Sequence, residues 1–78
     1  MKALLLSLIS LGLAAQAPDL AALGQQARTA LQAGRFDDAA GLYRKMIAQL
    51  PNVGGLRLNL GLALFQAGKP REAAVELR

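Results

Sequence analysis

The sequence predicts an all-α chain of antiparallel helical hairpins stacked as an α-solenoid, about two repeats long with the second truncated. Three observations carry this expectation. Residues 32–44 read QAGRFDDAAGLYR and residues 66–78 read QAGKPREAAVELR, an offset of 34 with six identities in thirteen aligned places. A fixed period of that length, with a Gly turn before an Ala pair, marks stacked supersecondary units rather than one closed globule. From Leu20 onward apolar residues recur at helical spacing, and the first link between helical segments is only about three residues, which forces neighbouring helices into a hairpin.

The first 17 residues stand apart. Lys2 is followed by the apolar run ALLLSLISLGLAA and then by Ala15-Gln16-Ala17, the pattern of a secretory signal peptide. The run from 3 to 15 is too short to span a hydrocarbon core of about 30 Å at about 1.5 Å per residue. Pro18 removes a backbone donor after the last Ala, so cleavage after Ala14 or Ala15 is an alternative to cleavage after Ala17. A buried first helix over 4–13 is the competing reading. With no Cys in the chain there is no thiol to acylate, so a lipoprotein is excluded. The expected location is therefore exported, periplasmic or secreted, with membrane contact only transient through the leader.

Residues 20–51 are expected to form the first helix-turn-helix repeat. Leu20, Leu23, Ala27, Ala30 and Leu31 make one face, and Gln25, Arg28, Thr29 and Gln32 the other. Asp19 suits the N-cap and Gly34 the left-handed residue past the end. Gly24 costs the helix about 1 kcal/mol relative to Ala. In the second segment Phe36, Ala39, Ala40, Tyr43, Met46, Ile47 and Leu50 form the apolar face, Asp37 and Asp38 lie at the start, Arg44 and Lys45 towards the end, and Pro51 stops it.

Residues 54–78 are expected to form the second repeat, incomplete. Here two signals conflict, because Leu56, Leu58, Leu60, Leu62 and Leu64 alternate with other residues as in a strand. Leu has no β-branch and favours helices, and the 34-residue register places this stretch on the first helix of the earlier hairpin, so helix is preferred. Pro70 then opens a fourth helix with Glu72 in its first turn and Ala73, Ala74 and Leu77 on its buried side. That helix is expected to run through Arg78, with further repeats in cis.

Composition narrows the function. Nine Lys/Arg against five Asp/Glu give +4, or +3 once Lys2 leaves with the leader, and the basic residues are scattered rather than striped, which argues against nucleic-acid binding. No Cys and no His removes zinc sites, thiol and imidazole nucleophiles and the commonest general base, so no catalytic residue, metal or cofactor is assigned. The carboxylates Asp37, Asp38, Glu72 and Glu76 invite a catalytic-pair reading, but places at helix starts explain most of them as caps or dipole partners.

Taken together, these residues resemble the tetratricopeptide repeat family, whose pattern is W-x2-L-G-x2-Y, A-x3-F and P on a 34-residue period. Leu60-Gly61, Leu64, Ala73 and Leu77 match the second unit, and Leu23, Ala27, Ala39, Tyr43 and Pro51 the first; Gln26, Ala30 and Arg57 depart from it. The resemblance covers residues 20–78. It implies close helix approach at Ala27, Gly61, Ala39 and Ala73, and a concave surface lined by the first helix of each unit. On this chain that surface is Arg28, Leu31, Gln32, Leu58, Asn59, Leu62 and Phe65, mostly apolar, and it fits a hydrophobic peptide segment of another protein better than an acidic tail. The competing readings are that Leu58, Leu62 and Phe65 pack under a further repeat, that the chain is the recognition arm of a larger exported enzyme, or that it is a small amphipathic protein acting at membranes.

Overall fold

The computed structural model describes residues 19–78, so the leader expected at residues 1–17 lies outside the described residues. Among the described residues four helices follow one another: α1, Leu20–Gln32; α2, Phe36–Gln49; α3, Gly54–Gln66; and α4, Pro70–Glu76. Each helix packs against the next in order, α1 on α2, α2 on α3 and α3 on α4, which is a stack of two hairpins. No strand occurs among the described residues.

Local chemistry sets each boundary. Asp19 caps α1 by accepting from the backbone N–H groups of Ala21 and Ala22 at 3.0 and 3.3 Å. Both hairpins then turn by the same device. Gly34 N–H donates to Leu31 and Arg35 N–H to Ala30, and 34 residues later Gly68 N–H donates to Phe65 and Lys69 N–H to Leu64. These paired bonds satisfy the carbonyls left open at the helix end, and they require a left-handed residue at the glycine. Gly34 and Gly68 stand at φ 77° and 82°. Pro70 enters α4 at its first turn, where a missing N–H costs nothing.

The core is built of small residues between large ones. Ala27, Ala30, Ala39, Ala40, Ala63 and Ala73 are buried with Tyr43, Leu56, Leu60 and Leu64, and Leu31, Leu42, Met46 and Ile47 pack against them. Alanine methyl groups let helix backbones approach closely, and the few large side chains fill what remains. At Gly61 the approach is closest, since a Cβ there would lie 2.5 Å from Leu77 Cγ and Cδ2.

Several expectations are corrected at the edges. Ala74 and Leu77 are exposed rather than buried, and so is Leu50 past the end of α2. Arg44 and Lys45 lie in the C-terminal half of α2, short of its last turn. Arg44 instead reaches across to Glu72 of α4 at 3.5 Å. The fourth helix ends at Glu76, with Leu77 closing it through a bond to the Ala73 carbonyl.

Candidate functional site

The strand-like alternation in α3 resolves into two helical stripes. A two-residue step on a helix is about 200° of rotation, so Leu at every second place builds two i, i+4 ladders on opposite faces. Leu56, Leu60 and Leu64 point into the core, whereas Leu58, Leu62 and Phe65 are 52%, 48% and 63% exposed. Asn59 is exposed beside them. On α1, Arg28 and Gln32 are exposed, but Leu31 is half-buried and packs on the core. Six of the seven residues expected on the concave surface thus reach solvent, and Leu31 is turned largely inward.

Comparing positions 34 apart separates surface made for solvent from surface left uncovered. Leu62 shares its register position with Arg28, a charged residue exposed even though a second hairpin stacks on the first. That position faces out of the stack. Phe65, by contrast, corresponds to Leu31, half-buried in the first unit. Leu58 corresponds to Gly24, where a Cβ would lie 3.6 Å from Met46 Cε on the paired helix. In the second unit Leu58 lines a cleft of about 220 Å³ with Arg57, Glu76 and Leu77, between α3 and α4.

The two ends of the stack differ in chemistry, which the sequence reading missed. At the α4 end, Leu77 is 44% exposed where its counterpart Tyr43 is 5% exposed, and Ala74 is exposed where Ala40 is buried. At the α1 end lies the larger cleft, about 630 Å³, whose walls include Gln25, Gln26, Thr29, Arg35 and Asp38. The counterparts of Gln26 and Thr29 in the second unit are Leu60 and Ala63, both buried against the first hairpin. A polar pair at one end and an apolar pair in the joint were legible from the 34-residue offset alone.

Ion pairs frame the joint between the hairpins. Lys69 Nζ lies 2.9 Å from Asp37 Oδ1 and Arg44 Nη2 3.5 Å from Glu72 Oε1, both crossing from one unit to the other. Within units, Arg35 pairs with Asp38 at 3.4 Å and Arg57 donates to Glu76 at 3.5 Å. The Asp37 carboxylate, by hydrogen bond and then by charge, raises the Lys69 ammonium above the ordinary lysine value. No buried polar side-chain atom lacks a partner among the described residues, and no His, Cys, Asp or Glu group there is arranged to hold a metal. No helix of the described residues is long and apolar enough to cross a membrane.

No curated protein and no solved structure matches the chain. A model of the tetratricopeptide repeat family, however, matches residues 30–78, from the last turn of α1 through α2, α3 and α4. That stretch holds the Gly turns, all the buried alanines but Ala27, and the joint between units, and it is most of the chain. A fold of this kind is a non-catalytic protein-interaction module. With helices, turns and family match in agreement, the chain belongs to the tetratricopeptide repeat family.

Proposed function

We propose that the chain binds a hydrophobic peptide segment of another protein along the outward faces of α1 and α3, and that it does so outside the cytoplasm. The observation that carries this reading is the stripe of Leu58, Leu62 and Phe65, three large apolar side chains near half exposed on one helix whose opposite face already fills the core. Arg28 and Gln32 on α1 and Asn59 on α3 supply polar groups that fix the backbone of such a segment, while the apolar stripe supplies the affinity. Leu31 contributes through packing beneath them.

The register comparison chooses the test. Arg28 shows that a charge is tolerated at the Leu62 position, so Leu62→Arg leaves the fold intact. Screening the purified chain against an array of apolar peptides gives ligands for the wild type. Those ligands lose at least tenfold in affinity for Leu62→Arg, a cost on the order of 1.4 kcal/mol. If the variant melts instead, or binds the same peptides unchanged, the outward stripe is not the binding face. Export rests on the leader at residues 1–17 and is tested by N-terminal sequencing of the mature chain from the extracytoplasmic fraction; an intact Met1 in the cytoplasmic pool overturns it.

A further inference from the structure

The chain carries an apolar segment of its own that matches the outward stripe in chemistry. Residues 3–15 read ALLLSLISLGLAA, and no charged residue stands between Lys2 and Asp19. In water such a segment exposes leucine on every side, while α3 exposes Leu58 and Leu62 at 52% and 48%. Leu62 matters most. Its register counterpart Arg28 stays exposed although a hairpin stacks beside it, so this position faces out of the stack whether or not another unit follows.

We propose that, while the leader is attached, residues 3–15 lie along the outward faces of α1 and α3 and keep them covered, so that the chain takes up its partner only once the leader is removed. The proposal rests on the reading of that stripe as a peptide-binding face, and names what fills it first. Lengths agree. Wound as a helix, thirteen residues rise about 20 Å, and α1 and α3 are 13 residues each. Residues 16–18 alone separate the segment from Asp19 at the start of α1, a tether that spans about 10 Å. That equals one interaxial distance between packed helices, about 8–10 Å. The tether therefore sets the segment beside α1 and is too short to let it run any way but antiparallel.

Antiparallel placement also brings Lys2 to the far end, beside the last turns of α1 and α3. Neither helix has a basic residue in its last turn, so the negative ends of both dipoles lack a cation of their own. Arg35 and Lys69, in the turns beyond, are held by Asp38 and Asp37. Tethering then favours the leader over a free ligand, because a short linker gives an effective concentration of about 1 mM. A segment whose own dissociation constant is about 0.1 mM thus fills the face roughly nine-tenths of the time and weakens a competitor roughly tenfold.

The test compares the full-length chain with a leader variant, Leu5→Asp with Leu8→Asp. The probe is a labelled peptide of residues 3–15 with lysines added at both ends for solubility, titrated by fluorescence anisotropy. The leader variant binds it roughly tenfold more tightly than the wild type, since its face is vacant, and adding Leu62→Arg to that variant abolishes binding. The chain has no Trp, so Phe65→Trp gives a single reporter. Its emission is blue-shifted in the full-length chain and moves to the red when the two leader aspartates are introduced. Equal binding by the two chains, or an emission indifferent to the leader change, overturns the closure and leaves the peptide-binding face standing. Binding by neither chain removes that face and the closure with it. A blue shift that appears only as concentration rises, with dimers in sedimentation, overturns the closure in favour of a second copy.

Discussion

At the scale of single residues, the glycines show how differently one residue type is used. Gly24 and Gly61 both lie inside helices, where Ala is favoured by about 1 kcal/mol. At Gly24 an added methyl meets Met46 and Arg28 at ordinary contact distance, 3.6 and 3.7 Å. Gly24→Ala therefore stabilises the chain by about 0.5–1 kcal/mol, read as a higher urea midpoint. At Gly61 the methyl collides with Leu77, so the same change gains nothing, and the Leu77 methyl resonances shift as the side chain is pushed out. A gain at Gly61 equal to that at Gly24 contradicts the packing described. The sequence pointed to Gly61 through the family pattern, but which atom it makes room for needed the fold.

Lys69 supplies a second prediction at this scale. Its pKa is raised in the folded chain, chiefly by the hydrogen bond and charge of Asp37. The contribution of the pair is then fully present below the ordinary lysine value and fades as pH climbs through the raised one. Titrating the Lys69 side chain by NMR in the wild type and in Asp37→Asn checks this: losing Asp37, the largest cause, lowers the Lys69 pKa in the variant. The ammonium is open to solvent, so salt weakens the effect.

At the scale of elements, α3 decides how far the sequence was readable. Its helical state followed from register and from Leu propensity, against a local pattern that said strand. Which leucines point inward did not follow from the alternation, because both stripes are leucine and only neighbouring helices choose between them. The prediction is a contrast between adjacent ladders. Leu60→Ala costs about 2–5 kcal/mol, enough to unfold a chain this small, whereas Leu58→Ala costs less than about 1 kcal/mol. Thermal melts of the two variants measure the difference; equal melting points mean the two faces are assigned wrongly. The misplacement of Ala74 and Leu77 has a related origin. Helical periodicity shows which side of α4 is apolar, but burial of that side depends on what lies against it.

At the scale of the whole molecule, the stack has a direction. Gln26 and Thr29 line the α1 end of the described residues with polar groups, and the α4 end carries the small and large apolar pair Ala74 and Leu77. Substituting Gln26→Leu, Thr29→Ala and Arg35→Glu together gives the front end the chemistry of α3 and α4. That triple variant is expected to stack end on end, because a head-to-tail contact without rotational closure grows without limit. Sedimentation velocity then shows mass rising with concentration for the triple variant and not for the wild type. If the triple variant keeps the wild-type profile, the two ends are not complementary in the way the joint implies.

Among the described residues the buried interior holds alanine, leucine, one glycine and one tyrosine, and no charged or amide side chain. Such a filling recognises shape and little else: any helix of suitable girth slides into it equally well. What chemical identity the joint has lies at its rim, where Asp37 pairs with Lys69 and Arg44 with Glu72 across the two hairpins. Rewriting those four residues should redirect assembly while the interior stays untouched, which makes this small stack a natural starting point for programmable joints.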